Sequence, residues 1–242
     1  MEKLTFQKFL ASTVVIVALW ACATTPKEGD KVQQATAHYH LGISYMNDNN
    51  IQPAFVEFQK ALEFNPNDKE VLNAIGVLYL LKLEEYSKAI EYFQKALRID
   101  KNFSEASNNL GFAFEKAGRY DEAVAAYKTA LSNLLYRNAE KAFNNLGRVY
   151  YKMRKYEDSL EAYREAIKRS SDFHLPYYGL ALCYNALGRY GEAATALKKA
   201  IELDPEYRGD REAAIKALKE RKLLLRGDEE KDADDLLEIM NY

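Results

Sequence analysis

A chain of 242 residues that is 48% hydrophobic and 29% charged, with only 5 prolines, has the composition of a helical globular protein. Its formal net charge of -2 implies neither a nucleic acid nor a strongly anionic partner. The three histidines (His38, His40, His174) and two distant cysteines (Cys22, Cys183) lack the spacing of a metal site.

The first 22 residues stand apart from the rest. Lys3 and Lys8 give a positive beginning, Phe9 to Leu19 is an apolar run, and Leu19-Trp20-Ala21-Cys22 closes it. The run is too short for a stop-transfer helix and reads as an export signal over 1–21. The closing four residues resemble the bacterial lipobox, although Trp20 replaces the usual small or branched residue. The resemblance implies that Cys22 becomes N-terminal and lipidated; otherwise the signal is an ordinary cleaved one and Cys22 a bystander. More than one acyl chain on Cys22 would make anchoring stable. Ala23 follows where inner-membrane retention often uses Asp, which implies the periplasmic face of the outer membrane. Residues 22–34 then form a lipidated Cys and a polar tether containing Pro26 and Gly29.

From residue 35 the chain repeats. Ser107-Asn108-Asn109-Leu110-Gly111-Phe112-Ala113-Phe114 recurs as Phe143-Asn144-Asn145-Leu146-Gly147-Arg148-Val149-Tyr150. The register extends both ways as Leu41-Gly42/Tyr45, Ile75-Gly76/Tyr79 and Leu180-Ala181/Tyr184. Each copy continues into a second helix with small-aromatic-small residues: Ala54/Phe58/Ala61, Ala89/Phe93/Ala96, Ala123/Tyr127/Ala130, Ser159/Tyr163/Ala166, Ala193/Leu197/Ala200. The spacing places helices near 35–48 and 51–64, 69–82 and 86–99, 104–117 and 120–133, 140–153 and 156–169, and 174–187 and 190–203. The motif and its period of about 34 residues resemble the tetratricopeptide repeat. The expected fold is an all-α, right-handed superhelical solenoid of five such repeats with a C-terminal capping helix, over 35–225. Small residues let the two helices of a repeat approach closely, and the aromatics fill the space between repeats. Cys183 falls inside a helix beside Tyr184 and reads as a small buried hydrophobe.

Ala213, Ala214, Ala217, Leu218 and Leu224 give an amphipathic helix near 209–225, which would cap the fifth repeat. Residues 226–242 hold seven acids and one Lys231, the composition of a solvated acidic tail. Leu236, Leu237, Ile239 and Met240 form a short apolar patch within it, so a small docking helix is the competing reading.

Nothing in the pattern asks for catalysis, a cofactor or a metal. There is no phosphate-cradling Gly loop and no nucleophile-base pair, and the many carboxylates sit at helical spacing from Lys and Arg. A solenoid of this kind offers a concave groove lined by the first helices of its repeats. In this register the groove carries Asn73, Asn108, Phe112, Lys141, Asn144, Arg148, Tyr151, Tyr178 and Leu182. Asn73, Asn108 and Asn144 hold the same repeat position. Such amides can bond the backbone of an extended peptide, or they can serve helix packing alone. Lys141 and Arg148 suit a carboxylate, and the aromatics supply apolar anchors. A second candidate surface is Tyr39, Ile43 and Met46, which has no preceding repeat to cover it.

Lipobox, tether and repeats together resemble the pilotin lipoproteins of type IV pilus biogenesis. The lengthened junction Asn133-Leu134-Leu135-Tyr136-Arg137-Asn138-Ala139-Glu140, ahead of Asn144-Asn145-Leu146-Gly147, adds to the likeness. That resemblance implies a lipid-anchored, non-catalytic protein-binding module that assists secretin localisation and assembly. An outer-membrane scaffold for cell-wall hydrolases or proteases, or an accessory subunit of barrel assembly, would share the same anchor and fold.

Overall fold

The structure, a computed structural model, describes residues 28–241. Among these residues all regular elements are α-helices, twelve in number. The expected export signal and Cys22 lie outside the described residues. The chain divides into two compact units at Val71/Leu72.

The first unit pairs α1 (Glu28–Asn47) with α2 (Ile51–Phe64). Gly42 permits this approach: a Cβ there would lie 2.5 Å from the Phe58 ring. Ala35, Ala54, Phe58 and Ala61 are buried between the two helices. Helix α1 begins at Glu28, so residues 28–34, expected as tether, continue the first helix. Lys31, Gln33 and Gln34 are good helix formers, and all are exposed. Polarity kept this turn out of the core without keeping it out of a helix.

In the second unit the pairing recurs. Helix α3 (Lys69–Leu81) enters it and is followed by α4 (Tyr86–Ile99), α5 (Ser104–Lys116), α6 (Tyr120–Leu131), α7 (Ala139–Lys152), α8 (Tyr156–Arg169), α9 (Leu175–Ala186) and α10 (Tyr190–Leu203). Each second helix presents one large side chain at the same repeat position: Phe93, Tyr127, Tyr163 and Leu197, all buried. A Cβ on Gly76, Gly111 or Gly147 would stand 2.6, 2.7 or 2.8 Å from the ring it faces. Tyr163 is also contacted by the next repeat, where a Cβ on Gly179 would come within 2.1 Å. One ring thus carries both the packing within a repeat and the stacking between repeats.

The turns inside the repeats share a left-handed residue at one position. Asn49, Glu84, Gly118, Arg154 and Gly188 have φ of 59°, 52°, 74°, 59° and 72°. In the third, fourth and fifth repeats the next amide (Arg119, Lys155, Arg189) donates to the carbonyl five residues back. This is the Schellman stop, which satisfies carbonyls the ending helix leaves orphaned. The residue inserted in the second repeat is absorbed here, since Glu85 N reaches Tyr79 O instead.

The junction after α6 is an ordered loop. Tyr136 Oη donates to Glu105 Oε2 at 3.0 Å, Asn138 Nδ2 to the same oxygen at 3.2 Å, and Asn133 Nδ2 to Ser104 Oγ at 3.0 Å. These bonds pin it to the start of α5 and leave Leu134 and Leu135 at 92% and 88% exposure.

The end of the chain departs from expectation. Helix α11 (Arg211–Lys222) forms near the expected cap, with Asp210 Oδ1 accepting from Ala213 N at 2.9 Å. Within 226–242, expected as a solvated tail, Asp228–Ile239 forms α12, which packs against α9, α10 and α11. Ile239 and Met240 are buried in the core cluster of the fifth repeat, and Ala233 is buried as well. Burying Ile239 and Met240 contributes about 1.5–3 kcal/mol each, a driving force that the acidic composition conceals. The fifth repeat is therefore capped by two helices, and the docking-helix reading is the one that holds.

Candidate functional site

The groove of the second unit is built by one face of α3, α5, α7 and α9. Residues spaced by three and four along each helix point the same way, which is the basis of the expected lining. What the structure changes is how many of these side chains are free.

Two rungs of the amide ladder are engaged between repeats. Asn109 Nδ2 donates to Asn73 Oδ1 at 3.0 Å, and Asn145 Nδ2 donates to Asn108 Oδ1 at 3.3 Å. The acceptors offered to a peptide are thus taken by the neighbouring repeat. Asn144 is 6% exposed and presents no accessible amide. The packing role is the one observed, because adjacent Asn pairs in successive repeats fall in register.

Arg148 already holds a carboxylate, one from its own chain. Its Nε and Nη2 donate to Glu115 Oε1 and Oε2 at 2.8 and 2.7 Å, and Lys152 Nζ lies 3.1 Å from Oε1. Tyr127 Oη adds a bond to Oε2 at 3.3 Å. Glu115 is 3% exposed. Burial pushes its carboxyl up, but Arg148 and Lys152 outweigh burial and hold it below the usual range. Burial also acts against the Arg148 cation, and Glu115 reverses that effect and raises it. Arg148 further lies 5.4 Å from the Phe112 ring centroid, with Lys116 at 5.5 Å. Glu115 escaped the sequence reading. Its signal was present, an acid and a base 33 residues apart, close to one repeat.

Tyr151 and Tyr178, expected as apolar anchors, are committed as well. Tyr151 Oη donates to Asp232 Oδ1 of α12 at 2.8 Å, and Tyr178 Oη to Asp204 Oδ2 at 3.0 Å. Burial raises the pKa of both phenols, and the facing carboxylates raise it further. Burial likewise raises Asp232, against the Tyr151 bond. Phe112 and Leu182 are half-buried and Lys141 is exposed. In the first unit Tyr39, Ile43 and Met46 are each half-buried, with Tyr39 tilted against Phe58 at 6.2 Å.

Cys183 is fully buried and 3.1 Å from Ser159 Oγ, which also donates to Gly147 O at 2.7 Å. Burial pushes its thiol up to about 12, consistent with an inert, packed side chain. Among the described residues no group of three or more His, Cys, Asp or Glu is arranged to hold a metal ion. Among them, too, no helix is long and apolar enough to cross a membrane.

Five tetratricopeptide-repeat profiles match in succession, over residues 35–68, 57–91, 80–118, 103–172 and 144–208. The chain is a tetratricopeptide-repeat protein. Such repeats serve as protein-interaction modules. This tetratricopeptide-repeat chain is 30% identical over 129 residues to the type IV pilus assembly protein PilF of Pseudomonas aeruginosa, covering 51% of each. It is 34% identical over 93 residues to the photosystem I assembly protein Ycf3 of Parasynechococcus marenigrum, covering 37% of this chain and 53% of that one. The matches thus span about half the length of these two relatives. Among solved structures, that of Pseudomonas aeruginosa PilF superposes with a TM-score of 0.69 at 21% identity, covering 85% of this chain and 90% of that one. PilW, described as a widely conserved type IV pilus biogenesis factor, gives 0.65 at 21%, covering 78% and 92%. MamA gives 0.60 at 28%, covering 67% and 94%. These structural likenesses establish the fold.

Proposed function

We propose that this protein is a non-catalytic assembly factor of type IV pilus biogenesis, anchored through Cys22 to the periplasmic face of the outer membrane. There it assists the localisation and assembly of secretin subunits. The observation that carries the reading is the 30% identity over 129 residues to a pilus assembly protein. The lipobox-like Leu19-Trp20-Ala21-Cys22 supports the anchor. Contacts within the chain bear on where a client segment would sit. With Arg148, Tyr151 and Tyr178 occupied by the chain itself, the surface left for a client in the second unit is centred on Phe112 and the exposed Lys116, whose Nζ lies 5.5 Å from the ring centroid. An apolar side chain with a carboxylate nearby suits that pair.

The test is deletion of the gene and assay of the secretin. Detergent-resistant secretin multimers and surface pili are expected to disappear, and to return with the wild-type gene. Multimers that persist undiminished in the deletion strain would overturn the reading.

A further inference from the structure

Helix α12 is two-sided. Asp232, Ala233, Leu236, Ile239 and Met240 recur at helical spacing and are wholly or partly buried, while Asp228, Glu229 and Asp234 are exposed. Its seat combines the inner face of the fourth and fifth repeats with the last exposed edge of the solenoid. Tyr151 takes Asp232, and Leu197 and Ile201 meet Ile239 and Met240. The surroundings are cationic where the helix is acidic. Lys222 pairs with Asp234, Arg211 donates to Met240 O, and Lys152 and Arg154 line the cleft at Asp228 and Asp232.

The contact is entered through a glycine turn and bordered by open clefts. The linker turns at Gly227, whose φ of 62° and ψ of -129° suit glycine alone, and Leu223 and Leu224 before it are exposed. Open clefts of ≈ 340 and ≈ 520 Å³ lie along the contact, both lined by Met240. On the fourth repeat, Tyr151 Oη donates to Asp232 Oδ1 at 2.8 Å.

We propose that this seat is a binding site for an acidic amphipathic helix of another protein, and that α12 fills it in cis as a tethered stand-in. The helix it fits carries an acid at one position and apolar residues one, four, seven and eight positions later, as Asp232 and its companions do. A short tether gives α12 a local concentration on the order of millimolar. A partner helix must therefore bind more tightly than α12 alone to displace it, which makes the C-terminus a threshold on recognition. The proposal rests on the concave face being a recognition surface. Its test needs no pilus component, so its failure leaves the secretin assay to judge the assembly role.

The test keeps the full chain, with a protease site inserted between Arg226 and Gly227. After cleavage, a fluorescein-labelled peptide of residues 227–242 is added and its anisotropy followed. The nicked protein is expected to bind the peptide saturably, and at least tenfold more tightly than the intact one. A peptide carrying Asp232→Ala and Ile239→Asp is expected to lose that binding. The uncleaved Ile239→Asp chain, with α12 loosened, should behave like the nicked one if nicking itself harms the fold. Folded nicked and Ile239→Asp proteins that bind no peptide would overturn the proposal, as would equal binding by the intact chain. Cooperative unfolding of the solenoid in both variants would make α12 an integral part of the core and overturn it too. A concentration-dependent dimer of the intact chain, lost with Ile239→Asp, would assign the seat to a second copy and overturn the partner-helix assignment.

Discussion

The Tyr151 hydroxyl donates to Asp232 Oδ1 at 2.8 Å, across 81 residues of sequence, and ties the fourth repeat to the last helix of the chain. A hydrogen bond to a charged acceptor is worth about 1.5–3 kcal/mol when dry, and this one is half-buried, so about 1 kcal/mol is the expected share. Tyr151→Phe keeps the ring and removes the bond. Amide exchange over 228–239 is expected to speed up about fivefold, with α5 to α8 unchanged. Uniform protection in the variant would mean that the bond does not hold α12.

The buried Glu115 and the half-buried Arg148 form a pair whose members cannot be removed singly without cost. Arg148→Ala leaves the carboxylate with Lys152, and a loss of about 2–3 kcal/mol is expected, at or below the range for an orphaned buried charge because Lys152 remains. Glu115→Leu together with Arg148→Met is expected to recover most of it. The acid limb of stability checks the same pair. The folded pKa of Glu115 lies below its unfolded value, so its stabilisation is present above about pH 4.3 and lost as pH falls through the folded value. Thermal melts of Glu115→Gln between pH 3 and 6, on the order of that window, should show a flatter limb than wild type.

Two glycines test the packing. Gly111→Ala would push a Cβ to 2.7 Å from the fully buried Tyr127 ring, and Gly179→Ala to 2.1 Å from Tyr163. Overpacking costs about 1–3 kcal/mol. Gly179→Ala is expected at the upper end and Gly111→Ala at the lower, by denaturant midpoint. Equal and negligible effects would contradict the close approach.

Arg154 stands at φ 59° where two other repeats place glycine. The left-handed conformation costs a non-glycine residue about 1–2 kcal/mol, and glycine's unfolded-state entropy returns part of it. Arg154→Gly is therefore expected to stabilise by about 0.5 kcal/mol, and Gly118→Val to destabilise by more. A lower melting temperature for Arg154→Gly would show that its side chain contributes more than its backbone costs.

The proposed anchoring and client capture can be tested separately. Cys22→Ala is expected to release the protein from the outer-membrane fraction with unchanged circular dichroism. Phe112→Ala is expected to leave fractionation intact and weaken secretin multimer formation, since truncating an aromatic anchor costs about 2 kcal/mol. Normal multimers with Phe112→Ala would remove the second-unit groove from consideration and direct attention to Ile43.

The repeat was legible because its small and aromatic residues recur under a strict steric rule. Gly42, Gly76, Gly111 and Gly147 each meet a ring that leaves no room for a Cβ, so the pattern survives in sequence and yields helix pairs and register together. The five turns were equally legible by position, though Glu84 and Arg154 hide their left-handed geometry behind ordinary side chains. Composition misled at both ends. The polar residues 28–34 extend α1, and the acidic run after Gly227 folds because three residues of it find a buried seat.

The groove divides along the same line. Local spacing determines which side chains face inward, because the helical period acts on neighbours in sequence. It cannot say whether an inward side chain is free, since that depends on partners a repeat or more away. Asn73 is met by Asn109, Arg148 by Glu115, and Tyr151 by Asp232 only once the helices have stacked. Sequence alone determined the repeat, its register and which side chains were expected as the groove lining. Tertiary structure decided which of that lining is already spent on the fold, because hydrogen bonds and burial are settled by distance in space.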